Sequence, residues 1–368
     1  MKKRILFLVN HHVVIFNFRR ELVECLLEHG YEVYISSPYG HRIDDLMEMG
    51  CKYIETEIDR RGTSLLSDIK LITQYVKLLR TVRPDVMLTY TVKPNIYGNL
   101  VGNVFGVPSL ANITGLGTAM DEPGLTRWLL VQLYRVAFRN VRCVFFQNEA
   151  NQRFFLNHRI KMQKYRTIPG SGVNLTQHSL EEYPDETENI RFLFVGRIMK
   201  EKGIEELVEA AKIVKRSHPG VEFDAVGFCE DDYLERARAL ESLQLINFHG
   251  QQNDVHDYIK RSHAVVLPSY HEGMANVLLE AAATGRPVVA SNIPGCKETF
   301  DEGISGLGFQ VRDAQDLAAT LMKFIELSHD DKKEMGMVGR QKMEQEFDRK
   351  VVVAAYLEEI EAVLNAAP

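Results

Sequence analysis

Glu272 and Glu280 stand eight residues apart in HEGMANVLLEAAATGRPVVAS (271–291), with the small residues Gly273 and Ala275 beside the first of them. Two carboxylates at this spacing have three uses: an acid/base pair, two solvated charges, or a grip on a polyhydroxylated ligand. An acid/base pair needs one carboxyl kept protonated by an apolar pocket. The neighbouring residues favour ionised carboxylates instead. AVVLPSY predicts a buried strand ending near Pro268, with Glu272, Gly273 and Met274 in the turn that follows. NVLLEAAATG predicts a helix from about Asn276 that stops at Gly285, with Asn276 as its N-cap. The free N–H groups and positive dipole end of such a helix accept a phosphate. Gly273 lets the ligand approach the backbone closely. A carboxylate accepts hydrogen bonds from two vicinal hydroxyls, so Glu272 and Glu280 are expected to hold sugar and ribose.

Upstream, VGRIMKEKG (195–203) predicts a strand ending at Val195, a turn at Gly196 and a helix beginning near Gly203. Arg197 and Lys202 flank that turn. A guanidinium that grips two oxygens beside an ammonium point charge suits a diphosphate.

These loops need strands and helices to hold them. RILFLV, EVYISS, DVMLTY, VPSLANI and CVFFQN each precede a helical stretch in the first half. Short, near-continuous apolar strands imply parallel sheets covered on both faces. RFLFVG, VEFDAVG and AVVLPS restart the pattern. The fold class is therefore α/β, with two doubly wound, Rossmann-like parallel-sheet domains facing across a cleft. The expected division is 1–170 for an acceptor-binding domain, 171–189 for a polar linker, 190–345 for a nucleotide-sugar domain and 346–368 for a helix packing back across the hinge. A dinucleotide cofactor site would need a G-x-G-x-x-G after the first strand, where this chain has Asn10-His11-His12.

The chain has 368 residues and a net charge of -6, which hides an asymmetry. Residues 1–180 carry 23 Lys and Arg against 15 Asp and Glu, and residues 181–368 carry 21 against 35, so the two halves face different partners. Five scattered cysteines without a C-x-x-C pair fit a reducing, cytoplasmic location. No run of about 18 apolar residues exists to span a membrane. TRWLLVQLYRVAFRNVR (126–142) places Gln132, Arg135, Arg139 and Arg142 at helical spacing, with Trp128 among apolar neighbours. Such a helix can rest on an anionic lipid surface, which adds peripheral placement on the cytoplasmic face of the inner membrane. His11 and His12, side by side without a carboxylate or cysteine partner, read as polar loop residues rather than metal ligands.

E-G-x-x-N-x-x-x-E after PSY, some 75 residues beyond GRxxxxKG, resembles retaining glycosyltransferase family 4, of GT-B architecture. PGSGVN and GQQNDV resemble the family's interdomain and base-binding segments, so the likeness covers nearly the whole chain. TVKPNIYG and NITGLGT resemble a branch that builds bacterial surface polysaccharides and lipid-linked oligosaccharides. The resemblance implies a UDP-sugar donor and a polyprenyl-diphosphate-linked saccharide acceptor, with no nucleic acid. Arg197, Lys202 and Glu272 would carry the chemistry. Gly196, Val255, Gly273, Met274, Ala275, Asn276, Val277 and Glu280 would hold the donor. Asn17, Arg19, Thr114 and Gly115 would line the acceptor side, Asn17 and Arg19 from an N-terminal loop. Many family members carry a histidine where this chain has Thr114, and a glycine pair in place of Asn10-His11-His12. No D-x-D triplet is present, so no metal or other cofactor is expected. A UDP-sugar 2-epimerase and a non-catalytic nucleotide-sugar-binding protein share the architecture and remain alternatives.

Overall fold

The computed structural model describes residues 2–59, 64–116, 124–187, 189–229, 233, 235 and 245–366. The chain forms two compact units: unit 1 holds the residues up to Ser171 and from Arg349 onward, and unit 2 is Gly172–Asp348.

In unit 1, β1 (Arg4–Leu8), β2 (Glu32–Ser37), β3 (Lys52–Glu55), β4 (Val86–Tyr90), β5 (Ser109–Ile113), β6 (Val141–Phe146) and β7 (Tyr165–Thr167) pair in parallel in the order β3-β2-β1-β4-β5-β6-β7. All five residues of β4 and of β5 are buried, which is why their sequences are nearly unbroken apolar runs. Helices α1 (Val13–Glu28), α2 (Arg42–Glu48), α3 (Leu65–Val82), α4 (Asn99–Phe105), α5 (Leu125–Ala137) and α6 (Glu149–Asn157) connect the strands. A π-turn, Pro94–Gly98, precedes α4. A further helix, α12 (Arg349–Asn365), adds Val352, Ala355, Tyr356 and Ile360 to the core around β1, β4 and α1.

In unit 2, β8 (Arg191–Val195), β9 (Glu222–Val226), β10 (Asn247–Phe248), β11 (Ala264–Leu267), β12 (Val288–Ser291) and β13 (Gly306–Phe309) pair in parallel in the order β10-β9-β8-β11-β12-β13. Helices α7 (Ile204–Ser217), α8 (His256–Arg261), α9 (Asn276–Ala283), α10 (Ala314–Glu326) and α11 (His329–Glu346) accompany it. In each sheet the strand order reverses once, between β1 and β4 in unit 1 and between β8 and β11 in unit 2. Open α/β sheets bind ligands beyond the strand carboxyl ends at such reversals.

Three sequence expectations change. HHVVIFNFRR is not a loop, because α1 begins at Val13 and carries both Asn17 and Arg19. Arg142 lies on β6 rather than on the helix of Arg135, because α5 ends at Ala137 and a 3-10 turn, Phe138–Asn140, intervenes. The expected linker, 171–189, is folded onto unit 2 from Gly172. The fully buried Arg286 donates to the carbonyls of Glu181 (3.1 Å) and Glu182 (2.5 Å), and the Tyr183 hydroxyl donates to that of His263 (2.9 Å). Buried backbone acceptors need such donors, so the segment is pinned rather than free.

Candidate active site

The β8/β11 reversal in unit 2 gathers the charged residues that the sequence singles out. Lys202 closes the 3-10 turn Lys200–Lys202 after β8, and Gly203 follows at φ +71°. A Cβ on Gly203 would lie 2.0 Å from the carbonyl oxygen of Pro268, so only glycine lets this turn rest on the end of β11. Across that contact the Lys202 ammonium pairs with Oε1 of Glu272. The Ser269 hydroxyl donates to the same oxygen at 2.7 Å. Both donors converge on Oε1 and leave Oε2 for a further one. The pair is largely sheltered, with side chains 21% and 13% exposed.

The turn after β11 is fixed by residues that sequence reasoning missed. Gly295, at φ +87°, packs so closely that a Cβ would lie 2.7 Å from the Glu272 carbonyl oxygen. Its own carbonyl accepts from the Ala275 N–H (2.8 Å), and its N–H donates to Glu298 (2.7 Å). Ala275, not Asn276, is therefore the N-cap of α9, and Asn276 is its first residue. This corrects the sequence reading: Asn276 lies one residue inside the helix, and no side chain caps it. The buried Oδ1 of Asn276 has no hydrogen-bond partner. Asn276 and Val277 open the helix, so their N–H groups have no intrahelical acceptor. Met274 and Ala275 are buried beneath the turn, and Glu280 lies one turn into α9, half-buried.

Arg197 is exposed in the loop after β8. Gly196 donates to the Val226 carbonyl (2.9 Å), and Gly227 donates to the Gly250 carbonyl (2.8 Å). A Cβ on Gly227, at φ +148°, would lie 1.9 Å from the Gly196 oxygen. Three strand-end loops are thus laced together, and Val255 precedes α8 just beyond the third. Tyr270 donates to Glu206 at 2.7 Å, and the Arg312 guanidinium sits 4.6 Å from its ring. Burial, and next the Glu206 carboxylate, raise the Tyr270 pKa, so the phenol keeps its proton and donates.

The four acceptor-side residues do not gather in the same way. Asn17 is exposed and lends its carbonyl to Arg349 (3.2 Å). Arg19 is withdrawn from solvent at 3% exposure, its guanidinium 5.3 and 5.4 Å from the rings of Tyr90 and Tyr356. With Glu21, Arg349 and Tyr356 it lines a crevice with no room for a water molecule, so its side chain is packed rather than presented to a ligand. Thr114 and Gly115 follow β5, half-buried. Gly117 and Thr118 of NITGLGT lie outside the described residues. His11 and His12 stack on each other at 4.4 Å. Among the described residues no group of three or more His, Cys, Asp or Glu is placed to hold a metal ion. Among them, too, no helix is long and apolar enough to cross a membrane.

Two family descriptions divide the chain between them. Glycosyl transferases group 1 matches residues 177–342, and Glycosyl transferase 4-like matches residues 4–148. The chain belongs to these glycosyltransferases. It is 25% identical, over 98% of its own length and 99% of the relative's, to the Campylobacter jejuni N,N'-diacetylbacillosaminyl-diphospho-undecaprenol alpha-1,3-N-acetylgalactosaminyltransferase. It is 27% identical, over 72% of each chain, to the Escherichia coli UDP-Gal:alpha-D-GlcNAc-diphosphoundecaprenol alpha-1,3-galactosyltransferase. Anabaena HepE, solved in complex with UDP and glucose, shares the fold at a TM-score of 0.80, with 17% identity over 98% of this chain and 100% of the other. The glycosyltransferase thus has the GT-B fold, two Rossmann-like parallel-sheet units.

Proposed function

We propose that this glycosyltransferase retains anomeric configuration while moving a hexose or N-acetylhexosamine from a UDP-sugar to a hydroxyl of a polyprenyl-diphosphate-linked saccharide. It would do so without a metal, in surface polysaccharide or glycan assembly, on the cytoplasmic face of the inner membrane. One observation carries the donor side: the Lys202–Glu272 pair, the open N-terminus of α9 and the unpartnered Asn276 Oδ1 meet on one turn at the strand reversal of unit 2. Buried acceptors that lack donors are costly alone, and sugar hydroxyls are donors. The names of the two relatives support the acceptor class, since both specify undecaprenyl-diphosphate-linked sugars.

The chemistry follows from charge. The bond between the anomeric carbon and the distal phosphate oxygen breaks, and its electron pair stays on UDP. The acceptor oxygen bonds to that carbon on the same face, and its proton passes to the departing phosphate. Lys202, Arg197 and the α9 N-terminus stabilise the negative charge as it grows. Glu272 orients the transferred sugar through its second oxygen, and Glu280 holds the ribose hydroxyls.

Thermal-shift screening against UDP, UDP-GalNAc, UDP-Gal, UDP-GlcNAc, GDP-mannose and ADP-glucose tests the donor. A ligand at 100 times its dissociation constant adds about 2.7 kcal/mol. Each stabilising sugar nucleotide is then offered undecaprenyl-diphosphate-linked N-acetylglucosamine or N,N'-diacetylbacillosamine, and the product anomer is read by NMR. An inverted product, or conversion of the UDP-sugar to its 2-epimer without acceptor, refutes the reading.

A further inference from the structure

Unit 1 has its own strand reversal, between β1 and β4, and the chain leaving β4 is unusual. Thr91, a β-branched residue, adopts φ +66°, a left-handed conformation that such residues rarely hold. Strain of this kind persists where surrounding structure imposes it, often at ligand sites. Two residues later Lys93 leads into the π-turn Pro94–Gly98, a rare element also found at functional positions.

The side chains there form a compact polar cluster. The Lys93 ammonium is 2.8 Å from Oδ1 of Asp68, on the first turn of α3, and the Tyr97 hydroxyl donates to Oδ2 at 2.7 Å. Lys93 and Asp68 are 16% and 15% exposed, sheltered yet open to solvent. Burial, and next the Asp68 carboxylate, raise the Tyr97 pKa, so Tyr97 remains a donor. An ammonium has three N–H donors and a carboxylate about four acceptor positions, so one contact each with the other partners leaves both kinds spare. Donor and acceptor side by side form the pattern that a vicinal diol satisfies. An ion pair that served only to pin α3 to the π-turn would not need the strained backbone beside it.

The outer side of the same helix is apolar. On α3, Leu65, Leu66 and Ile69 are 77%, 80% and 60% exposed, Leu65 about one turn before Asp68 and the other two turned further round the helix. Three large aliphatic side chains in solvent on the helix that carries Asp68 match an amphiphile whose saccharide head meets the cluster and whose hydrocarbon tail runs over the start of that helix.

We infer that Asp68, Lys93 and Tyr97 bind hydroxyl groups of the acceptor saccharide, with Leu65, Leu66 and Ile69 against the lipid that carries it. The inference rests on the lipid-linked acceptor of the proposed function. It is tested by steady-state transfer to undecaprenyl-diphosphate-linked N-acetylglucosamine and N,N'-diacetylbacillosamine, with the full chain, wild type and the variants Lys93→Met, Lys93→Arg and Tyr97→Phe. Lys93→Met is expected to raise the acceptor KM about tenfold or more, the loss of one charge-assisted hydrogen bond. The donor KM and the thermal shift given by UDP stay as in wild type, Lys93→Arg recovers part of the loss, and Tyr97→Phe gives a smaller rise. An unchanged acceptor KM, with or without a lower thermal midpoint, overturns the inference, as does an equal rise in donor and acceptor KM. If the wild type transfers to neither acceptor, the functional reading itself falls, and this inference with it.

Discussion

Replacing Lys202 by Met removes an ammonium while keeping most of its stem, which separates charge from packing. Its partner Glu272 is 13% exposed and keeps only the Ser269 hydroxyl as a donor. Exposed pairs are worth at most about 1 kcal/mol, and breaking a fully buried one costs about 3–5 kcal/mol. At 21% and 13% exposure this pair lies between, so unit 2 should lose about 1–3 kcal/mol. For a unit of this size that lowers the thermal midpoint by about 2–12 °C, well above calorimetric error. Activity should fall much further. Losing one positive donor at the departing phosphate costs about 100-fold to 1,000-fold in kcat. The double variant Lys202→Met/Glu272→Gln neutralises the abandoned carboxylate, so it should regain most of the midpoint and none of the turnover. Scanning calorimetry and a continuous assay of released UDP measure the two effects on the same samples. Turnover of the single variant within threefold of wild type, or turnover returning together with the midpoint in the double variant, would make the pair a structural tie and refute its catalytic role.

Gly203→Ala should cost about 3 kcal/mol or more by chemical denaturation, because the new Cβ meets the Pro268 carbonyl at 2.0 Å with φ at +71°; a change below about 1 kcal/mol would mean that the turn yields easily. The His263 pKa is lowered to about 4 by burial and then by the Lys332, Arg191 and Arg286 cations, and its Nδ1 accepts from the Arg191 N–H at 3.1 Å. Unfolding frees the imidazole to bind a proton near its ordinary pKa of about 6.5, so stability falls as pH drops from about 6.5 to about 4. His263→Gln, which keeps an acceptor but cannot be protonated, should flatten that window in urea titrations. On α5, Leu125, Trp128 and Leu129 are 80%, 59% and 49% exposed, with Arg127 and Arg135 on the same helix. The chain should float with anionic liposomes at low salt, and Trp128→Ser should weaken flotation at least several-fold; no flotation of the wild type would remove α5 from any membrane role.

What the sequence disclosed depends on how local the signal is. β4, β5 and β8 are apolar runs with ordered neighbours, and α7 spans Ile204–Ser217 where its 3.6-residue repeat says it should. The edge strand β3 has no fully buried residue, so it carries no such run. In α3 the buried stripe Leu71, Tyr75, Leu78, Leu79 and Val82 begins nearly two turns after the helix does, behind the exposed Leu65, Leu66 and Ile69. At the proposed donor site, Lys202, Glu272 and Glu280 announce themselves by type and spacing. Gly227 and Gly295 do not, because their need for glycine arises from backbone brought close by the fold. The same holds for Ala275, whose N–H is bonded by the carbonyl of Gly295, and for Arg19, enclosed by Tyr90 and Tyr356. Each partner is remote in sequence, so no local pattern marks it.

Helix α12 gives the molecule a fixed order of completion. On the ribosome its residues appear after all of unit 2 has been made, yet its Val352, Tyr356 and Ile360 are 2% exposed or less in unit 1. Burying three such side chains contributes roughly 5–9 kcal/mol, comparable to the whole net stability of a domain. The half-made protein must therefore wait with Tyr90 and Phe145 uncovered while the later unit folds first. A nascent chain stalled before Arg349 would expose aromatic surface of the kind that chaperones and proteases recognise.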